Sequence, residues 1–292
     1  MDLRFQFSSL KNFAHLFRIY DWSDINYLHM LILCFPGHPK RLPMEIGLML
    51  MANKGPSVPQ IIKLLDWEDD TDHYVMVMER PIPCMDLFSF VDHHGGRLDE
   101  GMAQNIMRQV IDTAKTFCKR GIFHRDLKLE NLLVNEDTME VKLINFGCSA
   151  LMKKSAFKVF QGTREYCPPE FYIKGRYHAK PTTVWTLGFI LYEMLCGEYP
   201  TSYDRHMITV NLWTRPGLSK ECCQMICDCL QAKPQERLSL DKMHLHDCFK
   251  TNNADLSFCF RSRSKTQRTS ENNSCHGHPV VFCLQSALRL AG

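Results

Sequence analysis

The stretch His124-Arg125-Asp126-Leu127-Lys128-Leu129-Glu130-Asn131 puts a carboxylate, an ammonium group and an amide on one short loop. That combination at that spacing is what a phosphoryl-transfer site needs. A second cluster follows. Val141-Lys142-Leu143-Ile144 reads as a buried strand, apolar but for one Lys, and Asn145-Phe146-Gly147 comes directly after it. Farther on stand Gly162-Thr163 and Cys167-Pro168-Pro169-Glu170, and later Lys233-Pro234-Gln235-Glu236-Arg237. A polar surface turn would explain the first loop alone, but not the ordered series behind it.

The series resembles a protein kinase from about Pro43 to Phe249. The resemblance implies that Asp126 receives the proton of a substrate hydroxyl, that Asn131 holds a magnesium ion, and that Lys128 neutralises charge on the moving phosphoryl group. It implies structural roles for His124 and Phe146, and an ion pair between Glu170, which ends the activation segment, and Arg237. Leu42-Pro43-Met44-Glu45, Leu64-Leu65-Asp66-Trp67, Glu79-Arg80-Pro81-Ile82-Pro83 with Asp86-Leu87-Phe88, and Val184-Trp185-Thr186-Leu187-Gly188 look like the Pim family of serine/threonine kinases. Thr183 stands where most kinases have an Asp, and the Pim pattern lacks that Asp too. The implied fold is α+β, with a small strand-rich N-lobe, incomplete here, and a large helical C-lobe. The implied cofactors are ATP and Mg2+, with Glu45, Glu79, Leu133 and Ile144 around the nucleotide. Pro81 has no N–H, so the segment joining the lobes offers adenine one hydrogen bond fewer. Asp86, Glu130 and Glu198, together with Asp204 and Thr163, are expected to line a groove for protein substrates with Arg-rich Ser/Thr motifs.

Departures from the pattern matter as much. Glu45 matches the helix glutamate that pairs with a third-strand lysine, but no Val-Ala-Ile-Lys setting is present. Lys11 is the nearest candidate and has the wrong neighbours, so it reads as a surface lysine. Only ten residues precede it and Gly37 is the first glycine, so a glycine-rich phosphate loop is expected to be missing. Asn145 replaces the acidic ligand of the metal. Magnesium prefers carboxylate oxygen, and an amide brings no charge. Expected activity is therefore impaired. The other readings are a pseudokinase that binds proteins, or a truncated fragment of an active kinase.

Composition sets wider limits. The chain has 292 residues, 45% of them hydrophobic, enough for a sizeable core. Residues 251–292 carry five basic side chains (Arg261, Arg263, Lys265, Arg268, Arg289) against Asp255 and Glu271, which accounts for the whole net charge of +3. So small a charge does not argue for nucleic acid or a membrane as partner. The kinase resemblance goes with a cytoplasmic monomer, the nucleus being a second compartment. The 14 cysteines read as reduced thiols in a chain of this length and pattern. Cys222, Cys223, Cys227 and Cys229 read as packing within an amphipathic helix. Cys275, His276, His278 and Cys283 make only a loose metal-like set. The apolar run Tyr27 to Phe35 is too short to span a bilayer.

The apolar spacing predicts helices over 43–54, 98–119, 182–196 and 219–231, and strands over 74–78, 132–134 and 140–144. Gly55-Pro56, Gly121 and Gly197 mark helix ends, and Ser219 is an N-cap candidate. The expected organisation is a divergent segment 1–42, a remnant N-lobe 43–80, a C-lobe 81–250 and a polar basic tail 251–292. In that tail only 280–290 could form a short helix.

Overall fold

The computed structural model describes residues 15–21, 32–34, 41–69 and 73–250. Lys11, the thiol and imidazole groups at 275–283 and the tail lie outside the described residues, as does most of the run 27–35.

Three strands, β1 (His15–Asp21), β2 (Ile32–Cys34) and β3 (Arg41–Pro43), precede helix α1 (Met44–Asn53). After it come β4 (Leu64–Asp69) and β5 (His73–Glu79). β5 is central in an antiparallel sheet of order β1-β5-β4, with His15 opposite Glu79 and Asp21 opposite His73. β2 and β3 form a separate ribbon that leads directly into α1. Ile46, Leu48, Met49 and Ala52 of α1 are buried, and so is Glu45. The helix stops at Lys54, whose backbone is extended, and Gly55 then takes a positive φ of 88°. This small, strand-rich lobe ends at Arg80. Pro81 and a cis Ile82–Pro83 bond carry the chain onward.

The larger lobe is mainly helical. β6 (Met85–Asp86) and α2 (Leu87–His93) lead to α3 (Glu100–Lys119). Asp99 starts α3 by accepting a hydrogen bond from Met102 N at 2.8 Å. Ala103, Ile106, Met107, Val110, Ile111, Ala114 and Phe117 form its buried stripe. Short strands β7 (Ile122–Phe123), β8 (Leu132–Val134), β9 (Val141–Leu143) and β10 (Ala150–Leu151) follow. β8 lies between β6 and β9, and β10 pairs with β7. The remaining helices are α4 (Pro169–Lys174), α5 (Ala179–Cys196), α6 (Ser202–Thr209) and α7 (Lys220–Cys229), with 3-10 turns up to Phe249.

α5 is the axis of this lobe. Every residue from Thr182 to Cys196 is buried, as an all-round apolar sequence requires. It begins three residues before the predicted start, because the first turn, with Lys180 exposed, carries no apolar signal. A Cβ on Gly188 would lie 2.5 Å from Cys229 Cβ, so only glycine lets α5 and α7 approach so closely. Ser219 caps α7 by accepting from Cys222 N at 3.1 Å, as its position predicts. The helix stops at Cys229, two residues before the expected end. No helix among the described residues is long and apolar enough to cross a membrane.

Candidate active site

The loop between β7 and β8 is anchored from below. His124 is buried, with its ring edge-on to Phe117 and Phe146 at 5.8 and 5.7 Å between centroids. Burial pulls the imidazole down to about 4, although the neighbouring Asp126 pulls the other way. The ring is therefore neutral near pH 7, and its Nε2 lies 3.2 Å from the Ile144 carbonyl, which only an N–H can satisfy. Arg125 takes a left-handed backbone (φ 66°) and turns its guanidinium onto the Cys148 and Ser149 carbonyls. The start of the activation segment is thus tied to the loop by side chain and strand pairing together.

Asp126 sits at the centre. Its Oδ1 accepts from the Thr163 backbone N–H at 2.9 Å and from the Thr163 hydroxyl at 2.7 Å. Its Oδ2 accepts from Asn131 Nδ2 at 2.9 Å, and the same nitrogen reaches the Asp126 carbonyl at 2.6 Å. Gly162 makes the close pass possible. At its φ of 121° a Cβ would stand 2.4 Å from the Arg125 carbonyl oxygen. Glycine is required there, and in the sequence the residue is legible only as part of a motif.

Asn145 follows β9 with a left-handed backbone (φ 67°), and its Nδ2 donates to Asn131 Oδ1 at 3.0 Å. The orientation of both amides is chemically determined. The Asp126 backbone carbonyl can only accept, so Asn131 must turn its nitrogen to it, and the Asn131 oxygen must then meet the nitrogen of Asn145. Kinase domains in general use ATP and a divalent metal. Magnesium wants oxygen ligands about 2.0–2.1 Å away and charge to offset its own. Here Asn131 offers its oxygen to an N–H, and Asn145 is neutral. In this arrangement the two residues do not fit a magnesium site.

Around the expected nucleotide pocket, Leu133 lies on the half-buried face of β8 while Leu132 and Val134 point to the core. Ile144 is buried. The Glu79 carboxylate is committed to Lys142 Nζ at 2.8 Å and to the Lys63 backbone N–H at 2.9 Å, and the Glu79 backbone N–H donates to the Lys63 carbonyl at 3.0 Å. Cys84 Sγ donates to the Pro81 carbonyl. Glu45 is buried, and the Tyr74 hydroxyl donates to it at 3.3 Å.

The far end of the activation segment is seated on α5. The Tyr166 hydroxyl donates to Glu193, and burial pushes the Glu193 carboxyl up to about 8, with Glu130 and Glu165 adding to the effect. Glu165 was not singled out from sequence. Glu170 and Arg237 form a buried, two-pronged ion pair. The expected groove acids are not equivalent. Asp86 caps α2 through Ser89, and Asp204 forms a capping box with Thr201 and accepts from Trp213 Nε1 at 2.9 Å. Glu130 has a loose pairing with Lys128 at 3.7 Å, and Glu198 accepts a hydrogen bond from Arg215 at 3.2 Å at the exposed surface.

A family model described as "Protein kinase domain" matches residues 36–249, the span in which this geometry lies. The serine/threonine-protein kinase pim-2 of Danio rerio is 38% identical over 234 residues, which cover 78% of this chain and 72% of the relative. The serine/threonine-protein kinase prk-2 of Caenorhabditis elegans is 35% identical over 243 residues, 81% of this chain and 54% of the relative. The PAS domain-containing serine/threonine-protein kinase of Mus musculus is 33% identical over 213 residues, 72% of this chain and 15% of the relative. The chain therefore belongs to the protein kinase family, among the Pim-like serine/threonine kinases.

Proposed function

We propose that this chain transfers the γ-phosphoryl of ATP to serine or threonine in proteins, at a rate well below that of an intact site. One observation carries the reading. Asp126 is held by Thr163 and Asn131 in a fixed direction, beside Lys128 on the same loop. In this reading Asp126 takes the proton of the incoming hydroxyl while Lys128 offsets charge on the moving group. Leu133 and Ile144 flank the base, and the main chain near Glu79 meets its edge. Arg-rich segments of the substrate are read by Glu130 and Glu198, whose carboxylates are exposed, with Asp86 at the groove's margin. Asn145 is the reason for the low rate. Losing one charge-stabilising contact of this kind typically costs on the order of 10²–10³ in rate.

The amide–amide contact between Asn145 and Asn131 supports a second reading, a kinase-shaped module that binds proteins without transferring phosphate. Labelled ATP and an Arg-rich Ser/Thr peptide separate the two. The enzyme reading expects slow incorporation by the wild type and none by Asp126→Asn. Equal incorporation by both proteins, or none by either, would leave only the binding module.

A further inference from the structure

We infer that Asn145 is an internal substitute for the cation: its amide holds the catalytic-loop residues together without a divalent metal. The inference rests on the kinase reading above and deepens it. A metal between positions 131 and 145 has one structural task besides chemistry, which is to draw the Asn131 oxygen and the residue at 145 to a common point. The Asn145 Nδ2–H does this at 3.0 Å, directly and without charge.

The bond belongs to a continuous series. Thr163 donates to Asp126 Oδ1, Asn131 donates to Asp126 Oδ2, and Asn145 donates to Asn131 Oδ1. The Gly147 backbone N–H lies 3.4 Å from Asn145 Oδ1, a weak contact that favours the same amide orientation. Each donor meets an acceptor in one direction, ending at the only carboxylate of the series. Asp126 and Asn131 are buried, so a bond left unmade here would expose a polar group to an apolar surrounding at real cost.

An aspartate at 145 could not close this series. It would present an acceptor to the Asn131 oxygen and add a second negative charge near Asp126. A cation between them would then reconcile the three groups. Asparagine therefore makes the loop metal-independent, and the activation segment, bound through Thr163, keeps its place with it.

Thermal melting with Mg2+ and with a chelator, at matched ionic strength, tests this on the intact chain. Wild type is expected to melt at one temperature in both. Asn145→Asp is expected to melt lower in chelator and to recover when Mg2+ is added. Asn145→Ala is expected to melt below wild type and to ignore Mg2+, which keeps the test decisive should the Asp variant not fold. Mn2+ binding by paramagnetic resonance gives an independent readout, with no stoichiometric site expected in wild type. A metal-dependent rise or a stoichiometric Mn2+ site in wild type would overturn the inference. So would an Asp variant indifferent to Mg2+, or an Ala variant as stable as wild type. None of these readouts uses phosphoryl transfer, so the enzyme reading stands or falls separately.

Discussion

Arg237 and Glu170 meet face to face, with Nη1 3.0 Å from Oε1 and Nη2 on Oε2, and the arginine side chain is wholly shielded from water. The guanidinium also donates to the Gln231 and Pro181 carbonyls and stacks on Trp185 at 4.9 Å. Residue 170 ends the activation segment and residue 237 follows α7, so one pair joins regions far apart in the chain. Arg237→Ala leaves a buried carboxylate without its partner, at a cost of about 3–5 kcal/mol. In a domain of this size that corresponds to a melting temperature lower by on the order of 10 °C. A calorimetric scan showing no shift would refute it.

Glu193 should make stability depend on pH. Its carboxyl titrates at about 8 in the folded chain, against an ordinary value of 4.5, because burial favours the neutral form. The folded state therefore keeps a proton that the unfolded state loses. Stability from this group is whole below about 4.5, falls as pH rises through the interval, and is gone above about 8. Glu193→Gln, neutral at every pH, should show a shallower decline in melting temperature over that range. Parallel curves for the two proteins would rule the effect out.

Gly162→Ala should release the activation segment from the loop. Its new Cβ would press on the Arg125 carbonyl, backbone against backbone, from a conformation that side chains rarely adopt. Strain of this class is worth about 1–3 kcal/mol. Hydrogen exchange reads it locally, since the Thr163 N–H is bonded to Asp126 in the wild type. Faster exchange at Thr163 is expected, and unchanged protection would count against the contact.

The four groove acids should separate by their internal commitments. Glu130→Ala with Glu198→Ala should weaken binding of an Arg-rich peptide, most clearly at low salt, since exposed charges are screened within about 8 Å at physiological ionic strength. Asp204→Ala should instead lower stability, because its carboxylate closes a capping box and holds Trp213. Equal peptide affinity for the double variant and wild type would reduce the glutamates to ordinary surface acids.

Much of this was legible from residue order. The long helices show the spacing of a buried stripe, and Ser219 and Gly121 mark ends as their chemistry requires. α2 has only seven residues, too few for a period to register. α6 does carry a signal, Thr201 three residues before Asp204, but the resemblance places that aspartate in the groove and so masks its capping role. The loop residues stand out by their spacing and take their roles from the protein-kinase resemblance, and Asn145 reads as a poor metal ligand because an amide brings no charge. What spacing could not supply is direction. Whether an amide turns oxygen or nitrogen toward its neighbour depends on the neighbour's own partners, and that is a property of the assembled site. The same holds for Glu193, whose carboxyl is unusual only because Tyr166, Glu130 and α5 converge on it.

The crowd of thiols in α7 turns this lobe into its own unfolding gauge. Cys222, Cys223, Cys227 and Cys229 are buried, and burial raises the pKa of each, with a bonded contact to Cys248 contributing most at Cys222. An alkylating reagent needs a thiolate in contact with solvent, and the closed helix supplies neither. Modification of Cys229 therefore requires an opening of the α5–α7 seam where Gly188 meets it. The rate at which mass accumulates on that residue follows the fraction of time the seam stands open, when reclosing is faster than the reagent.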